Sequence, residues 1–246
     1  MSNEGSTDSE CELCRQTKKL CRSHILPDFL YSEVYDESGK KMIVRSAIDH
    51  SEKFRQSGYW EWLLCGECES RTGEWDRYAA NVLKGNVQLE GRREGAVVHL
   101  SGIDYAKFKL FQLSVVWRAS IAKGEFFKRV ILGPHEEVMR SMLLTGDPGP
   151  HTQYPCLITS LIMEGAPATG VIVEPTEGRL YGHRTYRFVF GGLLWVFIVT
   201  RQQVNPIPGY LLERGEISIL VRDAMEFEYL TDLMARVIAP GRQGSQ

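Results

Sequence analysis

The chain has 246 residues, 43% of them hydrophobic and 24% charged, which is the make-up of a globular protein long enough for one large or two modest cores, and two are expected. A formal charge of -2 excludes a global basic field of the kind that binds nucleic acid through charge alone. The longest apolar run, residues 188–199, is too short for a bilayer span of about 20 residues and reads as buried strands, so no membrane partner is expected.

Residues 1–10 are polar and acidic, without the apolar stretch of a secretory leader, and are expected to be a disordered tail on a cytoplasmic protein. Two knuckles follow, Cys11-x2-Cys14 and Cys65-x2-Cys68. Thiolate pairs at this spacing let both sulfurs of a pair reach one tetrahedral ion, and two pairs complete its shell. A complete shell leaves no position for water, so the expected ion is a structural zinc that contributes folding energy directly. Disulfide pairing is the competing reading and is weak, because nothing in the sequence directs the chain to an oxidising compartment. Cys21 and Cys156 remain as ordinary thiols.

Between the knuckles runs Ser23-His24-Ile25-Leu26-Pro27. A short helix is predicted over 27–35, a turn over 38–41 and a strand over 42–44. Residues 69–84 carry Trp75, Tyr78, Ala79, Val82 and Leu83 at helical spacing, with Gly85 placed to end the helix. Knuckle, histidine loop, insert, knuckle, helix is the order of a treble-clef zinc module, over residues 11–85.

Residues 86–102, rich in Gly, Arg and Glu, mark a linker with only a short strand at Val97-Val98. The remainder, 103–246, is predicted as an α+β domain: helices over 104–123 and 133–144, strands over 156–163, 170–173, 186–190, 193–200 and 217–221 forming an antiparallel sheet, and a final helix over 224–238. The fold class is therefore α+β, an N-terminal ββα zinc module followed by a helical segment and the sheet domain. Lys107, Lys109, Arg118, Lys123, Lys128 and Arg129 make 107–129 locally basic, with Glu125 the only acid. They read either as a track for a phosphate backbone or as the solvated side of an amphipathic helix pair.

The two knuckles together with His24-Ile25-x-Pro27 resemble the zinc-supported HNH nucleases, over residues 11–85 only. What the resemblance implies is phosphodiester hydrolysis, of DNA before RNA, with a divalent cation, magnesium or manganese, and His24 as the general base. The chain departs from the family pattern at three places: Ser23 stands where an aspartate is common, Glu69 where Asn or His follows the second knuckle, and residues 59–62 lack the usual asparagine. Glu69 is a carboxylate able to hold magnesium, and His50, beside Asp49 in the insert, could restore the missing Asp-His pair. A bacterial or phage-related origin, with a role in anti-phage defence, is what the likeness suggests. The alternative is a catalytically degenerate module that binds nucleic acid or protein without cutting. Under either reading the C-terminal domain is the expected place for a homodimer contact or a protein partner.

Overall fold

Short strands of unlike character open the chain, and only pairing explains the first of them. In the computed structural model, which describes residues 8–32, 34, 57–169, 171–228, 230 and 231 and the backbone of 42–45 and 52–55, Asp8–Glu10 (β1) pairs antiparallel with Thr17–His24 (β2). Met42–Arg45 (β3) and Glu52–Arg55 (β4) pair with each other in the insert. Trp60–Cys65 (β5) then returns antiparallel along β2, giving a three-stranded sheet of order β1-β2-β5. Gly66–Leu83 (α1) follows β5 without a linker. Residues 8–10 of the expected tail are thus a strand, residues 1–7 lying outside the described residues, and the expected helix after Pro27 is a single 3-10 turn, Asp28–Tyr31.

The segment read as a linker is part of the larger sheet. Glu90–Glu94 (β6) and Val97–Ser101 (β7) form a hairpin, and β7 pairs with the last strand among the described residues, Ile217–Asp223. Its β6 arm, all exposed and mostly charged, looks like a linker because it is a sheet edge, where charge discourages further pairing. Tyr105–Ile121 (α2) and Pro134–Thr145 (α3) come next. Asp104 caps α2 by accepting from the Lys107 amide, and Gly146, at φ 71°, closes α3 in the left-handed conformation that glycine adopts freely.

The remaining strands are Cys156–Met163 (β8), Ala166–Pro167 (β9), Val173–Leu180 (β10), His183–Phe190 (β11), Leu193–Val199 (β12) and Ile217–Asp223 (β13). They run in the order β10-β11-β12-β8-β13-β7-β6, with β9 folded onto β8. One pair, β8 with β13, is parallel, so the sheet is mixed where an antiparallel one was expected. Residues 232–246 lie outside the described residues, and with them most of the predicted helix over 224–238; its first residues form a 3-10 turn, Ala224–Glu226.

α2 packs on one face of this sheet. Trp195 on β12 anchors the contact, stacked on Phe190 at 4.9 Å and meeting Phe108 and Phe111 of α2 at 6.1 and 5.9 Å. α1 packs on α2 in turn. The largest cluster of buried residues runs from Cys11 through α2 to Ile217 and so joins the knuckles to the sheet, while two smaller clusters gather about Leu161, Val189 and Leu194 and about Ile198 and Tyr210.

Candidate metal centre and the histidine beside it

The first knuckle is a tight turn: Arg15 N–H donates to the Cys11 carbonyl (2.8 Å), Cys11 N–H to Gln16 (3.0 Å), and Arg15 takes a φ of 59°. Glu12 N–H donates to the Leu63 carbonyl (2.9 Å), stitching the knuckle to β5, and Arg140 of α3 donates to the carbonyl of Leu13. The second knuckle sits where β5 becomes α1, with Cys65 as the residue preceding the first turn and Cys68 within it. Thiolates there gain from the positive end of the helix.

The four sulfurs, of Cys11, Cys14, Cys65 and Cys68, lie within 4.8 Å of one another and could hold a metal ion. The Cys14 and Cys65 sulfurs are 3.9 Å apart, near the edge of about 3.8 Å that a tetrahedron with 2.3 Å metal–sulfur bonds requires and far from a disulfide bond. All six cysteines are free thiols. Cys65 N–H donates to Cys11 Sγ (3.3 Å), the amide-to-sulfur contact that supports a ligand thiolate. Burial pushes the Cys11 and Cys68 thiols up, while at Cys65 burial is outweighed by the Cys68 amide and the neighbouring thiols, which bring it down. Four crowded sulfurs without oxygen donors are the donor set of a thiophilic cation, and the residues fit one.

His24 is the last residue of β2, with its side chain 29% exposed. Its backbone is fixed from two directions: the Arg118 guanidinium donates to its carbonyl (2.8 Å), and the next residue, Ile25, donates to Tyr59 (2.9 Å). Nε2 lies 3.5 Å from Asp28 Oδ1, four residues on. Burial lowers the imidazole below its usual range, opposed by Asp28 and Glu69 and assisted by Arg118 and Arg22, so the ring is neutral at pH 7. Glu69, in the first turns of α1, accepts a 2.5 Å hydrogen bond from Ser23 Oγ, and Ser23 Oγ accepts from Leu64 N–H (3.2 Å). Ser23 is thus a buried tie between β5 and α1 at the place where the HNH pattern has an aspartate.

His50 lies outside the described residues. Among the described residues the four cysteines are the one group of three or more His, Cys, Asp or Glu positioned for a metal, so no second such group gathers around His24 and Glu69.

The six basic residues do not form one surface. Lys109 is buried and donates to the Tyr154 carbonyl, and burial lowers its ammonium to about 8. Arg118 is buried too, and its guanidinium grips Asp76 of α1 through two bonds of 2.9 and 3.0 Å while also reaching Ser114. Neither can follow a phosphate backbone. Lys107 is exposed but paired with Asp104 (3.2 Å), Lys128 is exposed and paired with Glu125, and Lys123 and Arg129 are exposed. The tie between Arg118, Asp76 and His24 is the feature sequence reading missed; its one visible signal was an arginine on the broad apolar face of α2.

No helix among the described residues is long and apolar enough to cross a membrane. No family model, curated protein or solved structure matches the chain, so the likeness to HNH nucleases rests on the cysteine knuckles and the His24 segment alone.

Proposed function

We propose that residues 11–85 are a treble-clef module with a structural zinc ion, and that it carries an HNH-type site for metal-dependent hydrolysis of phosphodiester bonds, DNA being the favoured substrate. The observation that carries the reading is the order β2, β5, α1, with His24 ending β2, kept neutral by burial, and the carboxylates of Asp28 and Glu69 as the acidic charges acting on it. A neutral imidazole is the group this chemistry needs. With Nε2 turned to Asp28, Nδ1 is left to take a proton from the attacking water, and Asp28 stabilises the imidazolium so formed. Glu69 would hold a magnesium or manganese ion through the oxygen not bonded to Ser23, and a bound ion would neutralise charge on the scissile phosphate. Nicking of plasmid DNA by the purified protein with magnesium or manganese, lost in His24→Ala and reduced in Glu69→Gln, is the expected result. Nicking unchanged in His24→Ala would remove the proposed role.

A second reading is a module that binds without cutting. The Ser23 hydroxyl on Glu69 favours it, since a carboxylate already bonded within the fold is less available to a cation. Binding of DNA that weakens with salt, with no nicking under any divalent ion, would select it.

A further inference from the structure

The outward face of the β2–β5 ribbon carries side chains to which neither the metal centre nor the proposed hydrolysis assigns a task. Register sets Arg22 opposite Trp62 and His24 opposite Trp60, and side chains alternate along each strand, so these four share one face. Ser23 and Glu61, opposite each other, take the inner face: Ser23 bonds Glu69, and the Glu61 carboxylate accepts from the amides of Lys123 and Gly124. On the outer face the Arg22 guanidinium lies 3.8 Å over the Trp60 ring, and Trp62 meets Trp60 edge to face at 5.8 Å and 84°. Trp62 remains 43% exposed, whereas Trp75, Trp117 and Trp195 are buried. β5 is an edge strand of its sheet among the described residues, so this face has an open flank.

We propose that Arg22, Trp60 and Trp62 form a stacking platform for the bases of single-stranded nucleic acid. An exposed indole offers a flat π-face that any unpaired base can cover, and a guanidinium held over an indole is both a further stacking surface and an attractor of phosphate. Bases within a duplex are covered by their neighbours and present only edges in the grooves, which an indole pair cannot read. Charge favours the same occupant. Arg22 of β2 is exposed; of the nearby acids, Asp28 faces His24, Glu67 is paired with Lys18, Glu69 is bonded to Ser23, and Glu61 is turned inward. The proposal deepens the phosphodiester reading and rests on it for its link to His24, because a strand stacked on Trp62 and on the Arg22 guanidinium that covers Trp60 would run along the face on which His24 lies.

The test is tryptophan fluorescence of the full-length, metal-loaded protein in low salt without magnesium, titrated with short oligo-dT, oligo-U and a blunt DNA duplex of equal length. Single strands should quench the emission saturably and bind at least about tenfold more tightly than the duplex. Trp62→Ala should weaken single-strand binding by about tenfold or more, with metal content and melting temperature unchanged, and Trp62→Phe should recover most of the loss. Equal binding by duplex and single strand, no quenching by either oligonucleotide, or undiminished binding by Trp62→Ala would each overturn the platform. Quenching by a proline-rich peptide in place of the oligonucleotides would do so too, and would assign the face to a protein partner. The two readings fail separately: a protein that binds single strands through Trp62 but never cuts keeps the platform and loses the nuclease, and one that nicks DNA with Trp62→Ala fully active does the reverse.

Discussion

Around the knuckles, Cys11, Leu13, Leu64 and Cys65 are almost wholly buried although no large aromatic side chain belongs to the knuckles themselves; across the sheet, Tyr186, Phe188, Phe190, Trp195 and Phe197 are buried by packing on one another and on α2. The first region excludes water by gathering four sulfurs about a point, the second by covering aromatic surface. The difference teaches where each is vulnerable. If the four sulfurs hold the proposed ion, loss of one cysteine removes the centre about which the knuckles close, whereas loss of one ring from the sheet leaves its neighbours in place.

The largest effect should follow removal of the metal. Structural zinc sites are worth roughly 10 kcal/mol or more of folding free energy at neutral pH, so Cys65→Ser, or a strong chelator, should open residues 11–32 and 57–83 to limited proteolysis while residues 156–199 stay protected. Cleavage at the same rate with and without the metal would erase the distinction between the two regions. Next come two substitutions of similar size, one on each side of the comparison. Arg118→Ala leaves Asp76 buried without its partner and frees the His24 carbonyl, and Trp195→Ala opens a cavity under α2; each should cost about 3–5 kcal/mol in urea unfolding. They part company in activity: only Arg118→Ala should disturb His24-dependent nicking.

A third prediction concerns pH. Burial holds Lys109 at about 8, while the unfolded chain keeps the ordinary value of 10.5. Between those values the unfolded chain carries the extra proton, so the cost of the buried charge, full below pH 8, fades as pH rises to 10.5, and this group makes the fold more stable with rising pH. The stability difference between the natural chain and Lys109→Met should therefore move by about 3 kcal/mol across that window in urea unfolding. Parallel curves would show that the lysine is not held as described. The smallest effect belongs to Ser23→Ala, which leaves the Leu64 amide without its acceptor and should cost about 1–3 kcal/mol, while freeing Glu69 for a cation.

Elements with strong local signals were legible in the sequence. The predicted helices over 104–123 and 133–144 are α2, Tyr105–Ile121, and α3, Pro134–Thr145, because apolar spacing, a capping aspartate and a proline–glycine frame speak locally. The strand over 156–163 is β8 to the residue. What stayed hidden depends on partners distant in sequence. β2 begins Thr-Lys-Lys and reads as a polar loop until β5 pairs with it, and β6 has no apolar residue that would betray a strand. The parallel contact of β8 with β13 joins segments that local pattern cannot relate. At the site, the spacing of four cysteines was sufficient to bring them together, whereas Lys109 and Arg118 looked like solvent-facing charges because their acceptors, the Tyr154 carbonyl, Asp76 and the His24 carbonyl, lie in other elements. Trp60 and Trp62 were visible as letters, but the outer face they share with Arg22 exists only once register is known.

The most direct test is the metal content of the purified protein by elemental analysis. One zinc ion per chain, retained through gel filtration and lost in Cys65→Ser together with protection of residues 57–83, is the predicted result. A protein that folds with less than a tenth of an ion of any metal per chain would contradict the account at its root.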